Sequence, residues 1–360
     1  MSFFDYRVKT KLIDDALSIS FVLLDKRAFM WYFYKMEGCE AMAQALALLK
    51  KGEKFEGILL VKQAEVRVSQ NGSRFLDITL CDKTGEMNGK SWEWPYAEAP
   101  EALSVVNVRA VTNEYMGKLQ LKLDSIAKVD ISQVNIASLI PCAPELPDDY
   151  MAQILSTIDQ MQDDDIKLLC AAIIDSYKEK LRYWPAAVSF HHSERGGLLH
   201  HTTTMLKAAK SMLEIYPVLN SDLLLGGVIL HDICKIEELE AGDLGLASEY
   251  SRKGLLLGHI SMGMALILKT AEALEIDEET GILMAHMILS HHSEPDYGSP
   301  RRPMFAEAEM LHHLDCVDAR MYDFKSNISG IAQGSFTSYI RSLENRKLYR
   351  HSKFNADEEE

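Results

Sequence analysis

From Leu223 to Leu239 the chain reads LLLGGVILHDICKIEEL, apolar residues at helical spacing with two polar groups set among them. Leu225, Ile229, Asp232 and Ile236 share one face of the predicted helix, and Leu224, Val228 and His231 share the neighbouring one. A carboxylate and an imidazole therefore point into a core, where an ionised carboxylate is costly unless a charge or a metal compensates it. Four other predicted helices repeat the pattern. His201 lies on the stripe of Leu198, Met205, Ala208 and Met212, and His259 on that of Leu256, Gly263 and Leu266. His292, with His291 beside it, follows Ile282, Ala285 and Leu289, while Asp315 and Asp318 continue from Leu311. One such residue is ordinarily a hydrogen-bonded core group, but five segments each turning His or Asp inward call for a common partner, and a bound cation supplies one.

A different texture precedes these helices. Between Phe55 and Val129, Phe75, Asp77 and Thr79 alternate with Leu76, Ile78 and Leu80, and turn signals stand at Asn71-Gly72 and Thr84-Gly85. This predicts a series of antiparallel hairpins, about five strands, enough for a small closed barrel of the oligonucleotide/oligosaccharide-binding (OB) type. Phe75, Trp92, Trp94 and Tyr115, interleaved with Arg67, Arg74, Lys90 and Lys118, are either barrel core or a platform for stacked bases. Glu40 to Lys51 reads as a short helix from its strong helix formers, and the residues before it match neither period. Prolines 141, 144 and 147 mark a linker, after which nearly everything to about Leu348 reads as helix. The expected division is an N-terminal extension over 1–51, partly helical, a barrel over 52–132, a Pro-rich linker over 133–150, a helical domain over 151–340 and a charged tail over 341–360. In that tail Arg346, Lys347, Arg350 and Lys353 precede a terminal DEEE.

Composition narrows the functions on offer. The net charge of −15 argues against a protein that coats nucleic acid and leaves room only for a local basic groove. The six cysteines have no short paired spacing, which fits reduced thiols and a cytoplasmic protein. The apolar run Leu17 to Leu24 is too short to span a bilayer, so no membrane partner is expected. Histidine nitrogen and carboxylate oxygen without thiolate suit manganese, iron, cobalt, nickel or zinc in a hydrolytic centre.

The ordered set His201, His231-Asp232 and Asp315 resembles the HD superfamily of metal-dependent phosphohydrolases, with His259, His291 and His292 similar to the extra histidines of its two-metal branches. The segments FEGILLVK, NGSRFLDITLCDKTGEMNGKSWEW, PAAVSFHHSERGGLLHHT, ILHDICK, LLGHIS, LSHHSEPDYGSPRRP and LHHLDCVDARM are similar to one family within it, the YhaM-type 3′-to-5′ exoribonucleases. The likeness runs from about Lys54 to Met321 and departs at Cys234, where HD proteins often carry glycine.

The resemblance implies an antiparallel OB-type barrel followed by an all-α HD domain. Its centre would hold one or two divalent ions, manganese first, with cobalt, nickel, iron, zinc or magnesium also admitted. His201, His231, Asp232 and Asp315 would bind the principal ion, with His259, His291 and His292 completing or sharing a second. Between His200 and His201 the motif does not choose, and the apolar stripe favours His201. The implied reaction removes nucleoside 5′-monophosphates from the 3′ end of single-stranded RNA or DNA. Lys235, with Arg301 or Arg302, is a candidate to hold phosphate. His191 or His192 is a candidate to protonate the leaving oxygen, or else supports the ligands, and His259 doubles as a proton carrier. Phe75, Trp92, Tyr115 and Lys118 are the expected strand contacts, and a homo-oligomer is admitted. Two competitors remain: a phosphohydrolase of mononucleotides or cyclic dinucleotides, and a non-catalytic nucleic-acid-binding module with a structural metal. The barrel speaks against the first and the surplus of ligands against the second.

Overall fold

The computed structural model describes residues 45–69, 71–188 and 192–354. The chain divides into two compact units, with the boundary between Asn135 and Ile136.

The first unit is a closed five-stranded barrel: β1 (Lys54–Val68), β2 (Arg74–Asp82), β3 (Gly85–Trp92), β4 (Val105–Tyr115) and β5 (Lys118–Lys128), in the order β1-β2-β3-β5-β4. The alternation read in β2 is realised, with Leu76, Ile78 and Leu80 buried alongside Val61, Val108, Leu121 and Leu123. One expectation is corrected: the barrel is mixed, since β3 and β5 run parallel where Gly89 faces Leu121. A closed ring with an odd number of strands cannot alternate direction all the way round. The helix expected over Glu40 to Lys51 falls partly outside the described residues. Within them only Leu46–Leu48 forms a 3-10 turn, and Leu49 is already extended. Burial overrides propensity here, for Leu46 and Leu49 join the barrel core while the Leu46 N–H donates to Asp82 at 2.8 Å.

The second unit is built from α1 (Pro147–Asp159), α2 (Asp164–Leu181), α3 (Gly197–Ile215), α4 (Ser221–Leu230), the short α5 (Lys235–Glu238), α6 (Arg252–Ala273), α7 (Glu278–Ser290) and α8 (Ala306–Ser329). Helix α4 is the central element, buried from Asp222 to Leu230 and capped by the Asn220 side chain. Pro147 opens α1 rather than belonging to a linker, as suits its missing N–H at a first helical turn. The unit is not wholly helical. A two-stranded hairpin, β6 (Leu239–Ala241) and β7 (Ala247–Tyr250), interrupts it where Gly242 and Gly245 favour a turn. Helix ends at Ser329 rather than near Leu348, and the charged stretch after 341 is folded as far as 354. Ile340, Leu343 and Leu348 pack on Ile328, giving that segment a small core of its own.

Candidate active site

The bend between α4 and α5 presents His231 and Asp232, and four further helix segments converge on it. Asp232 Oδ2 lies 3.3 Å from His231 Nε2, 3.7 Å from His201 Nε2 and 2.6 Å from Lys235 Nζ. His201 Nε2 is in turn 3.2 Å from His231 Nε2 and 3.4 Å from Asp315 Oδ1. The other oxygen, Asp232 Oδ1, faces His259 Nε2 at 3.3 Å and His291 Nε2 at 3.8 Å, while His292 Nε2 stands 3.7 Å from Asp315 Oδ2. Two ligand sets thus share one carboxylate.

The protons decide what these sets can hold. His291 Nδ1–H donates to the Ile288 carbonyl at 2.7 Å, and His231 Nδ1–H to the Val228 carbonyl at 2.8 Å, so each ring turns a bare Nε2 inward. His259 Nδ1–H donates to Glu238, which again leaves Nε2 bare. Asp232 Oδ1, His259 Nε2 and His291 Nε2 are buried with no hydrogen-bond partner. Three acceptors facing one another without a donor repel, and a cation among them is the arrangement that satisfies all three. Burial pushes the His291 ring well below its ordinary pKa, which keeps it a neutral ligand.

The first set surrounds His201 with carboxylates, Asp315 at 3.4 Å and Asp318 at 2.7 Å. Burial works against the charged form of His201, but Asp315 and Asp318 outweigh it and its pKa is pushed up to about 10. Burial alone would raise the Asp232 carboxyl, yet the Lys235 ammonium 2.6 Å away holds it well below the usual carboxylate range. Both sets fit a divalent ion.

Backbone devices aim the ligands. Gly258 adopts φ 72° inside α6, a left-handed conformation that breaks the helix and frees the His259 N–H to donate to Glu238 at 2.9 Å. At Gly197 a Cβ would fall 2.0 Å from the His192 carbonyl oxygen, so only glycine lets α3 start against that turn and bring His201 inward. In the Gly298-Ser299-Pro300 loop it is Ser299 that matters, its buried hydroxyl accepting the His292 N–H at 3.0 Å.

The site opens into a cavity of about 330 Å³ whose lining includes Lys235, His259, His292, Asp315, Tyr250 and Arg320. Arg301 and Arg302 do not line it; both are exposed, and Arg302 pairs with Glu294 at 2.7 Å. His192 stands behind His201, donating from Nε2 to Asp318 at 2.9 Å, and lines a separate cavity with Glu194, His200 and Tyr322. His191 lies outside the described residues. His200 is turned away, donating to Glu194 at 3.0 Å, while His201 faces the centre.

Two residues given no role from sequence complete the support. Asp318 accepts His201 Nδ1–H at 2.7 Å and Glu238 grips His259, fixing which nitrogen each ligand presents. Asp318 was visible on the stripe of α8, but Glu238, at the end of a short helix, left no periodic signal. In the barrel Trp92 and Tyr115 are exposed, Phe75 is half-buried with its ring 5.0 Å from that of Trp92, and Lys90 Nζ lies 5.3 Å over Phe75. Lys118 is exposed opposite Tyr115 across β4 and β5, whereas Trp94 belongs to the core.

Residues 198–320 match the family pattern of the HD domain. The 3′-5′ exoribonuclease YhaM of Geobacillus sp. (strain WCH70) is 37% identical over 314 residues, covering 86% of this chain and 95% of that protein. That of Bacillus subtilis (strain 168) is 34% identical over 314 residues, with 86% and 98% covered. The chain belongs to the YhaM family of 3′-5′ exoribonucleases. As a YhaM-family enzyme it is a metal-dependent phosphodiester hydrolase, which sets aside both the mononucleotide or cyclic-dinucleotide phosphohydrolase and the non-catalytic module. Among solved structures, the second OB-fold domain of replication protein A from Methanococcus maripaludis has 16% identity and a TM-score of 0.22, covering 25% of this chain and 96% of that one. The OB-like character of the YhaM-family barrel rests on its own strand order.

Proposed function

We propose that the chain shortens single-stranded RNA from its 3′ end, releasing nucleoside 5′-monophosphates, in a centre for two divalent ions of which manganese is the leading candidate. The observation that carries this reading is the trio of bare acceptors around Asp232 Oδ1, set against a second ligand group on Oδ2 and opening on a cavity. His201, His231, Asp232 and Asp315 would hold one ion, and Asp232, His259, His291 and His292 the other. When bound, the cations polarise the phosphodiester and acidify water for attack.

The chain's own groups do the rest. Lys235, buried and kept cationic by Asp232 against the effect of burial, faces the cavity and holds a phosphoryl oxygen as its charge grows. Asp318 and Glu238 fix the rings of His201 and His259, and His192 supports Asp318 from behind as a positioning residue. Water forms its bond to phosphorus as the bond from phosphorus to the 3′-oxygen breaks, so the departing nucleotide keeps a 5′-phosphate and the strand a 3′-hydroxyl. A cavity at the small end of ligand pockets suits a strand terminus. Trp92, Phe75 and Tyr115 would stack bases, with Lys118 on phosphate. The described cysteines are all free, which supports cytoplasmic residence.

The test is the purified protein with Mn²⁺ and a 5′-labelled single strand, as RNA and as DNA, beside a cyclic dinucleotide. A ladder of labelled strands shortened one step at a time, with 5′-monophosphates in the supernatant, is expected. Internal fragments at early times, or faster turnover of the cyclic dinucleotide, would overturn the reading.

A further inference from the structure

In a chain of net charge −15, residues 335–354 hold five cations, Arg341, Arg346, Lys347, Arg350 and Lys353, against one acid, Glu344. The structure folds this stretch into a hairpin in which Phe336 pairs with Tyr349 and Ile340 with Arg346. The Thr337 N–H donates to the Leu348 carbonyl at 2.9 Å, and Ile340, Leu343 and Leu348 fill a core against Ile328. The hairpin therefore has an inside, yet its large rings are outside: Phe336 is 64% exposed, Tyr339 70% and Tyr349 47%. They are ordered on the surface. The Phe336 and Tyr349 rings lie 4.9 Å apart, and Lys347 Nζ stands 4.9 Å over Tyr339.

The cations divide by task. Arg350 donates to the carbonyls of Ser329 and Ile331, and Arg346 pairs with Glu344 at 2.9 Å, so both serve the hairpin's own fold. Arg341, Lys347 and Lys353 are left exposed, Lys347 over the Tyr339 ring. The turn also reaches the active site, because Glu344 accepts from Arg320 at 2.7 Å and Arg320 lines the catalytic cavity.

We propose that this hairpin is a second binding surface for single-stranded RNA, holding the strand whose 3′ end enters the cavity. Flat rings stack any base and lysines meet any phosphate, so the pairing of the two is what a sequence-tolerant strand surface needs. A concentrated positive face on an acidic protein selects a polyanion. The inference rests on the exoribonuclease reading, and the hairpin adds grip without touching the reacting atoms.

The experiment uses the full chain with Mn²⁺ and a fluorescent single strand of phosphorothioate RNA, resistant to hydrolysis and longer than the ~16 nucleotides that one OB fold covers. The double variant Phe336→Ala/Tyr339→Ala should bind it roughly tenfold more weakly or worse. Lys347→Gln/Lys353→Gln, which leaves the core untouched, should flatten the salt dependence by about two phosphate contacts. Both variants should cleave a dinucleotide at the parent rate and sediment with the parent mass. Unchanged affinity and salt slope in both variants would overturn the proposal. So would a fall in sedimentation mass, which would assign the rings to a second copy of the chain, or equal losses on dinucleotide and long strand. Should the parent protein release no mononucleotide from either substrate, the catalytic reading fails instead, while the binding comparison still decides the hairpin.

Discussion

In the barrel, β2 sends Leu76, Ile78 and Leu80 inward and leaves Phe75 and Asp77 nearer solvent, whereas in the helical unit α3 sends His201 inward beside Leu198 and Met205. Among the described residues the barrel buries Thr112 as its one polar side chain, whereas the helical unit carries imidazoles and carboxylates into its middle. Burying His201, His231, Asp232 and His291 conflicts with folding unless a charge partner is present, so the helical unit gives up apolar packing to hold a cation. The barrel makes no such concession and is free to spend its surface on contact.

Removing the shared carboxylate should break the contrast most completely. Asp232→Asn takes a ligand from both sets at once, and hydrolysis should fall to background while metal content drops and the far-ultraviolet dichroism stays that of the parent. Full activity with the carboxylate gone would undo the assignment of the centre.

Asp318→Asn should act one step further out. It leaves every proposed ligand in place but loosens the orientation of His201, so metal affinity should weaken about 10- to 100-fold, a loss that excess Mn²⁺ restores. An unchanged metal titration would mean that Asp318 only packs.

On the barrel side Trp92→Ala should weaken binding of a long strand by about tenfold, in line with ~1–3 kcal/mol per stacked base. Cleavage of a dinucleotide should continue at the parent rate. Equal losses on both substrates would remove the distinction between a unit that grips and a unit that cuts.

The smallest effect concerns Glu194. Burial works to raise its pKa, but His192, His200 and Tyr322 hold it well below the usual value. Its folded-state value lies below the unfolded one, so the stability it adds is present above about pH 4.3 and is lost as pH falls through the folded value. The melting temperature of Glu194→Gln should therefore trail the parent near neutral pH and approach it toward about pH 3. A gap that does not narrow on acidification would show that the carboxylate's charge contributes nothing.

Much of this was legible in the sequence because periodicity records which way a side chain faces. Leu76, Ile78 and Leu80 gave the barrel its inside, and the stripe through Leu198 and Met205 chose His201 over His200. Periodicity does not record what a side chain meets at the end of a loop. It could not choose for Arg301 and Arg302 between phosphate contact and surface charge, and they are exposed while Ser299 of that loop meets His292. Nor could it choose for His192 between the leaving oxygen and support of the ligands, and the bond to Asp318 agrees with support. Counting apolar residues also extended helix past Ser329, where Phe336 pairs with Tyr349 and Ile340 with Arg346 in a hairpin instead.

The bond from His201 to Asp318 joins residues 117 positions apart. A ribosome finishes the barrel, His201 and the bend at Asp232 well before it adds Asp315 and Asp318, the two carboxylates that face His201. Until then His201 has no carboxylate from α8 beside it, and the contacts that close the centre are among the slow, long-range ones in folding. A chain made only as far as α7 would hold His201, His231 and Asp232 without the two carboxylates that α8 sets beside His201.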